Sequence, residues 1–131
     1  NESDRPNYEI AVAPPAAATG IVAVSALEQT PQGLRVADFA NNQADLAAPG
    51  VDIVSAEAGA SGLVSMSGTS MATPHVAGVA ALWAQRQMEM TGRVEHLSML
   101  AQLVASGTRE GLVADSEEDD VGTGLVQAPL T

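Results

Sequence analysis

Residues 70 to about 90 constrain the fold most, because their apolar side chains follow the period of one long amphipathic helix. The apolar positions recur at spacings of three and four: Val76, Val79, Ala80, Leu82 and Trp83. The pair Thr91-Gly92 predicts where this helix ends. A helix with one apolar face has to bury that face against another layer of structure. The rest of the chain is therefore expected to supply a sheet or further helices.

Short apolar runs between turn-forming residues predict such a layer. Residues 21–26 are a continuous run rich in β-branched side chains, typical of a strand that is buried on both faces. Further extended pieces are expected at 10–12, 45–48, 51–54, 63–66 and 122–126. Pro49-Gly50 forms the turn between two of them. A second helix is predicted over 94–104, ending at Ser106-Gly107 and packing beside the first.

Composition narrows the class to a single α/β domain. Of the 131 residues, 46% are hydrophobic but only 2% are aromatic, so the core has to be built from alanine, valine and leucine. Small side chains of this kind favour closely packed layers of helix and sheet. No segment has the length or composition of a linker between domains.

The charge balance and the missing residue types exclude several classes of function. Sixteen acidic residues stand against five arginines and no lysine, which gives a formal net charge of -11. Such a surface repels nucleic acid, and a chain without lysine has no Schiff base, Ser-Lys dyad or phosphate-loop lysine. The absence of cysteine excludes a thiol nucleophile and a thiolate metal site. No run approaches the roughly 18 apolar residues of a membrane-spanning helix, so no membrane span is expected.

Ser70 lies between a small-residue loop, 57–69, and the start of the predicted first helix, which is a suitable position for a nucleophile. Backbone N–H groups converge there, and the positive end of the helix dipole favours the oxyanion that forms when a hydroxyl attacks a carbonyl. The alternative is that Thr69 or Ser70 simply caps the helix, as serine and threonine commonly do. The position alone leaves both interpretations open.

Residues 68–78, Gly-Thr-Ser-Met-Ala-Thr-Pro-His-Val-Ala-Gly, closely resemble the nucleophile signature of the subtilisin-like serine peptidases, or subtilases. The resemblance continues, in the family's order, at 20–26, Phe39, 45–50 and 122–128. It implies a subtilisin-like three-layer α/β/α fold with a mostly parallel sheet, of which residues 1–131 would form the C-terminal half. In such a fold Ser70 would lie outside the carboxyl ends of the strands.

The same resemblance assigns roles to individual residues. It implies that Ser70 attacks the scissile carbonyl, while its backbone N–H and the side-chain amide of Asn1 stabilise the developing negative charge. The competing interpretation of Asn1 is an ordinary polar residue. Glu2 would lie at the rim of the pocket for the residue before the cut bond and favour basic or polar side chains there, unless it is only a solvated acid. Thr69 would contribute to substrate binding.

The chain holds two histidines, and neither is placed to act as general base for Ser70. His75 follows Ser70 by five residues on one helix, so their side chains point apart, and we interpret His75 as a buried or half-buried packing residue. His96 is expected in solvent. In the subtilases the catalytic aspartate and histidine come from motifs earlier in the chain. This sequence begins at Asn1, with neither an initiator methionine nor a signal peptide. We therefore expect an upstream half, in the same domain or as a separate chain, to supply both, and residues 1–131 alone to be inactive.

No cofactor and no metal ion are predicted. The acidic run 115–120 lacks the glycine and the alternating ligands of a helix-loop-helix calcium site and is interpreted as a solvated loop, although some subtilases bind calcium. The expected partner is a peptide or protein substrate. Because subtilases are largely secreted or periplasmic, the resemblance also implies a secreted or periplasmic location. Two other functions stay open: a non-catalytic subtilase-like module kept for folding or protein binding, and an acidic binding module unrelated to catalysis.

Overall fold

A three-stranded mixed sheet forms the centre of the structure, a computed structural model that describes residues 1–59 and 61–130. Its strands are β1 (Val24–Thr30), β2 (Gly33–Val36) and β3 (Leu46–Pro49), in the spatial order β2-β1-β3. β1 pairs with β2 antiparallel and with β3 parallel. β1 is therefore the central strand, with both of its edges paired.

A hairpin and helices complete the described part of the fold. β4 (Ile53–Ala56) and β5 (Leu63–Met66) pair antiparallel. The helices are α1 (Thr69–Thr91), α2 (His96–Ala105) and α3 (Glu118–Val121), and α1 packs against α2, β1 and β3. This arrangement confirms the α/β class and the pair of long helices that the sequence predicted.

The two faces of the sheet carry separate hydrophobic cores, because successive side chains of a strand point to opposite faces. The first core lies between the sheet and the α1–α2 layer and contains Ala26, Leu46, Ala48, Ala72, Val76 and Leu103. The second core joins the other face to α3 through Leu27, Ala47 and Val121. Every buried hydrophobic residue of the described chain is alanine, valine or leucine, as composition predicted. The sheet thus lies between the α1–α2 layer and the one-turn helix α3.

The region around β1 differs from the prediction. The strand predicted at 21–26 is displaced to Val24–Thr30, and the polar sequence expected to form a loop after it belongs to the hairpin of β1 with β2. Pro31 and Gln32 make the turn, where the fixed φ of proline suits a tight reversal. β2 was missed because four residues with little apolar alternation give no recognisable strand pattern. The strand predicted at 51–54 begins two residues later, and the loop predicted at 57–69 includes residue 60, which lies outside the described residues.

The prediction that the acidic run 115–120 is a solvated loop is wrong for its second half. The run ends inside α3, and Asp120 is buried. Arg5 Nη2 donates to Asp120 Oδ1 at 2.6 Å, and Arg5 Nη1 donates to Glu9 Oε1 at 2.7 Å. A buried carboxylate is tolerated here because an arginine from a distant part of the chain compensates its charge. The ion pair ties the N-terminal segment to α3.

One side of α1 stays exposed. Its buried residues are Ala72, Val76 and Gln87, whereas Leu82, which the periodicity placed on the apolar face, is 47% exposed. The methionines Met88 and Met90 near its end are exposed as well. Among the helices of residues 1–59 and 61–130, none combines the length and the apolar character needed to cross a membrane.

Candidate active site

The start of α1 is attached to the end of the sheet through Gly50. This residue directly follows β3, accepts a hydrogen bond from Gly68 N–H at 2.8 Å and donates its own N–H to Leu27 O at 2.9 Å. Gly68 is the N-cap residue of α1. A Cβ on Gly50 would lie 2.6 Å from Ala26 Cβ, so only glycine permits this approach. The contact places the start of α1 beside the carboxyl end of β3, as the sequence predicted for Ser70.

Ser70 is the second residue of α1 and is exposed. Within the described chain, neither its Oγ nor its backbone N–H has a hydrogen-bond partner, whereas the next N–H, that of Met71, donates to Gly68 O at 3.0 Å. Gly68 caps the helix without any side-chain bond, so neither Ser70 nor Thr69 is the cap. Unpaired N–H groups at a helix start carry partial positive charge. Ser70 thus presents a free hydroxyl next to a free donor.

The side-chain amide of Asn1 lies at the same helix start. Its Oδ1 accepts hydrogen bonds from Thr69 N–H at 2.9 Å and from Thr69 Oγ1 at 2.8 Å. Because a backbone N–H can only donate, these bonds fix the amide with its oxygen toward Thr69. Asn1 Nδ2 has no acceptor among the described residues. The point where a Cβ would stand on Gly68 lies 3.6 Å from Asn1 Nδ2 and 3.7 Å from Ser70 N, so two free donors flank Gly68.

Thr69 and Glu2, the residues predicted to contact substrate, line one cavity of about 190 Å³ together with Asn1 and Asn41. Thr69 uses its hydroxyl and its N–H to hold Asn1. Its role toward substrate stays a prediction, as does that of Glu2.

The carboxylate of Glu2 is exposed at the edge of this cavity. It accepts a hydrogen bond from Asn41 Nδ2. This hydrogen bond is the largest cause that lowers the pKa of Glu2 below its ordinary value of 4.5. Glu2 is therefore negatively charged at neutral pH.

Neither histidine of the chain makes a hydrogen bond to Ser70. His75 Nδ1 lies 2.9 Å from Met71 O, within its own helix. His75, which was predicted to be a packing residue, is exposed in the described chain, where no layer covers its side of α1. His96 is exposed, as predicted. Across residues 1–59 and 61–130, histidine and carboxylate side chains form no group of three or more suited to a metal ion.

Sequence reasoning missed two residues that shape this site. Gly50 was recognised only as part of a turn, and its support of Gly68 depends on a contact between distant segments. Asn41 was not recognised at all, because one asparagine in a loop resembles any other polar loop residue. Asn41 differs from an ordinary loop asparagine in being buried, and burial becomes visible when the chain is folded.

Comparison with known proteins identifies the family. The profile of the subtilase family, peptidase S8, matches residues 1–120, and the chain therefore belongs to this family. The thermostable alkaline protease of Halalkalibacterium halodurans is 44% identical over 77 residues, which cover 59% of this chain and 21% of that protein. The thermophilic serine proteinase of a Bacillus species is 49% identical over 74 residues, which cover 55% and 18%. A solved psychrophilic protease matches with a TM-score of 0.77 at 25% identity, covering 98% of this chain and 47% of that one.

These matches confirm the resemblance inferred from residues 68–78 and extend it to the fold. The chain spans about a fifth of the length of the two curated relatives and about half of the solved structure.

Proposed function

We propose that this chain is part of a serine endopeptidase that hydrolyses peptide bonds through an acyl-enzyme on Ser70. One observation carries the proposal: the exposed hydroxyl of Ser70 is unpaired within the described chain, and two unpaired N–H donors, Ser70 N and Asn1 Nδ2, flank the nearby Gly68. Membership of the subtilase family supports it, since the relatives compared above are proteases by name.

In the proposed reaction Ser70 Oγ attacks the carbonyl carbon, and its proton passes to a histidine that an upstream segment supplies together with an aspartate. The carbonyl oxygen becomes negative in the tetrahedral intermediate, where Ser70 N–H and Asn1 Nδ2 donate to it. The C–N bond then breaks, and the amine leaves with the proton from the histidine. Water hydrolyses the acyl ester and restores the free hydroxyl of Ser70.

The fixed amide of Asn1 explains why the site suits this chemistry. Donors that are oriented before the reaction need no reorganisation when charge develops, and they act more strongly where water is excluded. Loss of one such donor lowers kcat by about 10²- to 10³-fold, a range measured on a subtilisin, a member of this same family. We expect Asn1→Ala to fall in this range.

Glu2 supports a preference for basic or polar side chains before the cut bond. Its carboxylate is ionised at the rim of the cavity, and a negative charge there attracts arginine or lysine. The substrate is proposed to be a peptide or protein and not a nucleic acid, which the net charge of -11 would repel. The proposed location is secreted or periplasmic, and no cofactor is part of the proposal.

A non-catalytic subtilase-like module is the competing proposal. It is favoured by the fact that no base of the described chain hydrogen-bonds Ser70. The upstream sequence distinguishes the two, because an intact aspartate motif and histidine motif favour the enzyme. Their substitution favours the module.

The functional test uses the complete protein that contains this chain and a chromogenic peptide with arginine before the scissile bond. Ser70→Ala is expected to abolish hydrolysis, whereas Ser65→Ala, an exposed serine on β5, is expected to leave it unchanged. A complete protein with both upstream motifs that cleaves no peptide would contradict the proposal.

A further inference from the structure

Asn41 is a buried polar residue in the connection between β2 and β3, with only 8% of its surface exposed. Its Oδ1 accepts three hydrogen bonds: from Glu2 N–H at 3.0 Å, Ser3 N–H at 3.1 Å and Ser3 Oγ at 3.3 Å. Its Nδ2 donates to the carboxylate of Glu2. Two of the partners of Oδ1 are backbone N–H groups, so the orientation of the amide is fixed. One buried side chain therefore uses both of its ends to hold Glu2 and Ser3.

The backbone beside Asn41 has supports that do not depend on its side chain. Asn42 N–H donates to Ile10 O at 2.9 Å, and Val12 N–H donates to Asn42 O at 3.0 Å. Removing the amide of Asn41 would therefore release Glu2 and the backbone N–H of Ser3, and it would leave the pairing of 10–12 with Asn42 in place. The side chain of Asn41 and the surrounding fold can be perturbed separately.

Asn1 depends on this support. Within the described chain the side chain of Asn1 is held by Thr69 alone, and the main chain that follows is held by Asn41. A shift of about 1 Å in a reacting group can cost about a hundredfold in rate. A donor that stabilises an oxyanion acts best when it is fixed in advance.

We propose that Asn41 is a positioning residue, which holds the segment that carries the oxyanion donor Asn1 and orients the carboxylate of Glu2 at the cavity rim. This inference rests on the function proposed for Ser70. According to this inference, one buried amide controls both the position of the oxyanion donor and the orientation of the charge at the substrate pocket. The rate of reaction and the preference for substrate are then coupled through Asn41.

The first test compares Asn41→Ala with Asn42→Ala in the complete protein. Asn42 is the matched control because it is the adjacent residue of the same type, and among the described residues its side chain makes one hydrogen bond, to Glu9 at 3.4 Å. Asn41→Ala is expected to lower kcat about 10- to 100-fold and to change KM less than about threefold. Asn42→Ala is expected to change kcat less than about twofold.

A double-mutant cycle separates positioning from a general loss of structure. In an Asn1→Ala background, Asn41→Ala is expected to lower kcat by less than about twofold, because the donor that it positions is already absent. An equal loss of kcat in both backgrounds would overturn the proposal.

Asn41→Asp is the conservative variant, and it decides the question if Asn41→Ala does not fold. It keeps the oxygen that accepts from Glu2 and Ser3 but replaces the donating amide by a carboxyl oxygen, so a proton shared with the Glu2 carboxylate has to take the place of the amide hydrogen. We expect it to retain kcat within about threefold on a substrate with leucine before the cut bond, and to alter the ratio of rates for arginine and leucine substrates. A loss of kcat of about tenfold or more, relative to the parent protein, would refute the role of the accepting oxygen.

The two levels of failure are distinct. If the parent protein hydrolyses no peptide, the proposed function fails and this inference fails with it. If the parent is active and the cycle is additive, the positioning role alone is refuted.

Discussion

Replacing Gly50 by alanine tests how the sheet holds the start of α1, where Ser70 lies. An added Cβ would stand 2.6 Å from Ala26 Cβ and 2.9 Å from Gly68 O, whereas ordinary van der Waals contact lies at 3.4–4 Å. Ala26 is completely buried in the first core, so it has no free space into which to move. Either β1 and β3 must shift relative to each other, or Gly68 must move and carry the start of α1 with it.

We expect this methyl group to lower the free energy of unfolding by about 1–3 kcal/mol, the usual cost of overpacking a dense core. Movement of Gly68 would also displace Ser70 N–H, so kcat is expected to fall by about tenfold or more. Both effects come from one contact and should appear together.

Stability is best measured by urea denaturation followed by circular dichroism in a Ser70→Ala background, where self-digestion cannot contribute. Gly62→Ala is the control, since its Cβ would meet only Glu57 Oε2 at an ordinary 3.8 Å, and its expected change is within about 0.5 kcal/mol. Unchanged stability in Gly50→Ala, or an equal loss in the control, would refute the reasoning.

Three further predictions concern residues around the site. Asp120→Asn is expected to lower the free energy of unfolding by about 2–3 kcal/mol, because Arg5 loses a buried charged partner. Urea denaturation measures this free energy, and an unchanged value would contradict the prediction. The pKa of Glu2 is lower in the folded state than its ordinary value of 4.5. Ionised Glu2 therefore adds to the free energy of unfolding above pH 4.5, and this contribution is lost as the pH falls through the folded-state pKa. NMR titration should show this pKa rising in Asn41→Ala, and an unchanged value would exclude Asn41 as its main cause. Peroxide should inactivate the complete protein by oxidising Met71, whose Sδ lies beside Gly68. Met71→Leu should resist this inactivation, and the activity that remains after peroxide treatment measures the difference.

Elements with a strong local pattern could be predicted from the sequence. α1 was located from its apolar spacing, since a helix of this length repeats its signal over many turns. The place of Ser70 at the start of α1 was predicted from the small-residue loop before it and the apolar spacing after it, whereas its role as nucleophile stays a prediction. The core composition followed from the scarcity of aromatic residues.

Features that depend on distant partners could not be predicted in this way. The burial of Asp120 requires Arg5, the orientation of Asn1 requires Thr69, and no pattern of neighbouring residues reveals either contact. The exposure of His75 depends on which layers cover α1, and periodicity describes only the helix itself. β2 was missed because its pairing with β1, not its own sequence, makes it a strand.

The most direct test of the central claim is labelling of the complete protein with a serine-directed fluorophosphonate, followed by mapping of the labelled peptide. We predict a single label on Ser70, lost in Ser70→Ala and slowed in Asn1→Ala, and no label when residues 1–131 are treated alone. A protein that retains the upstream aspartate and histidine motifs but carries no label on Ser70 would contradict its assignment as the nucleophile.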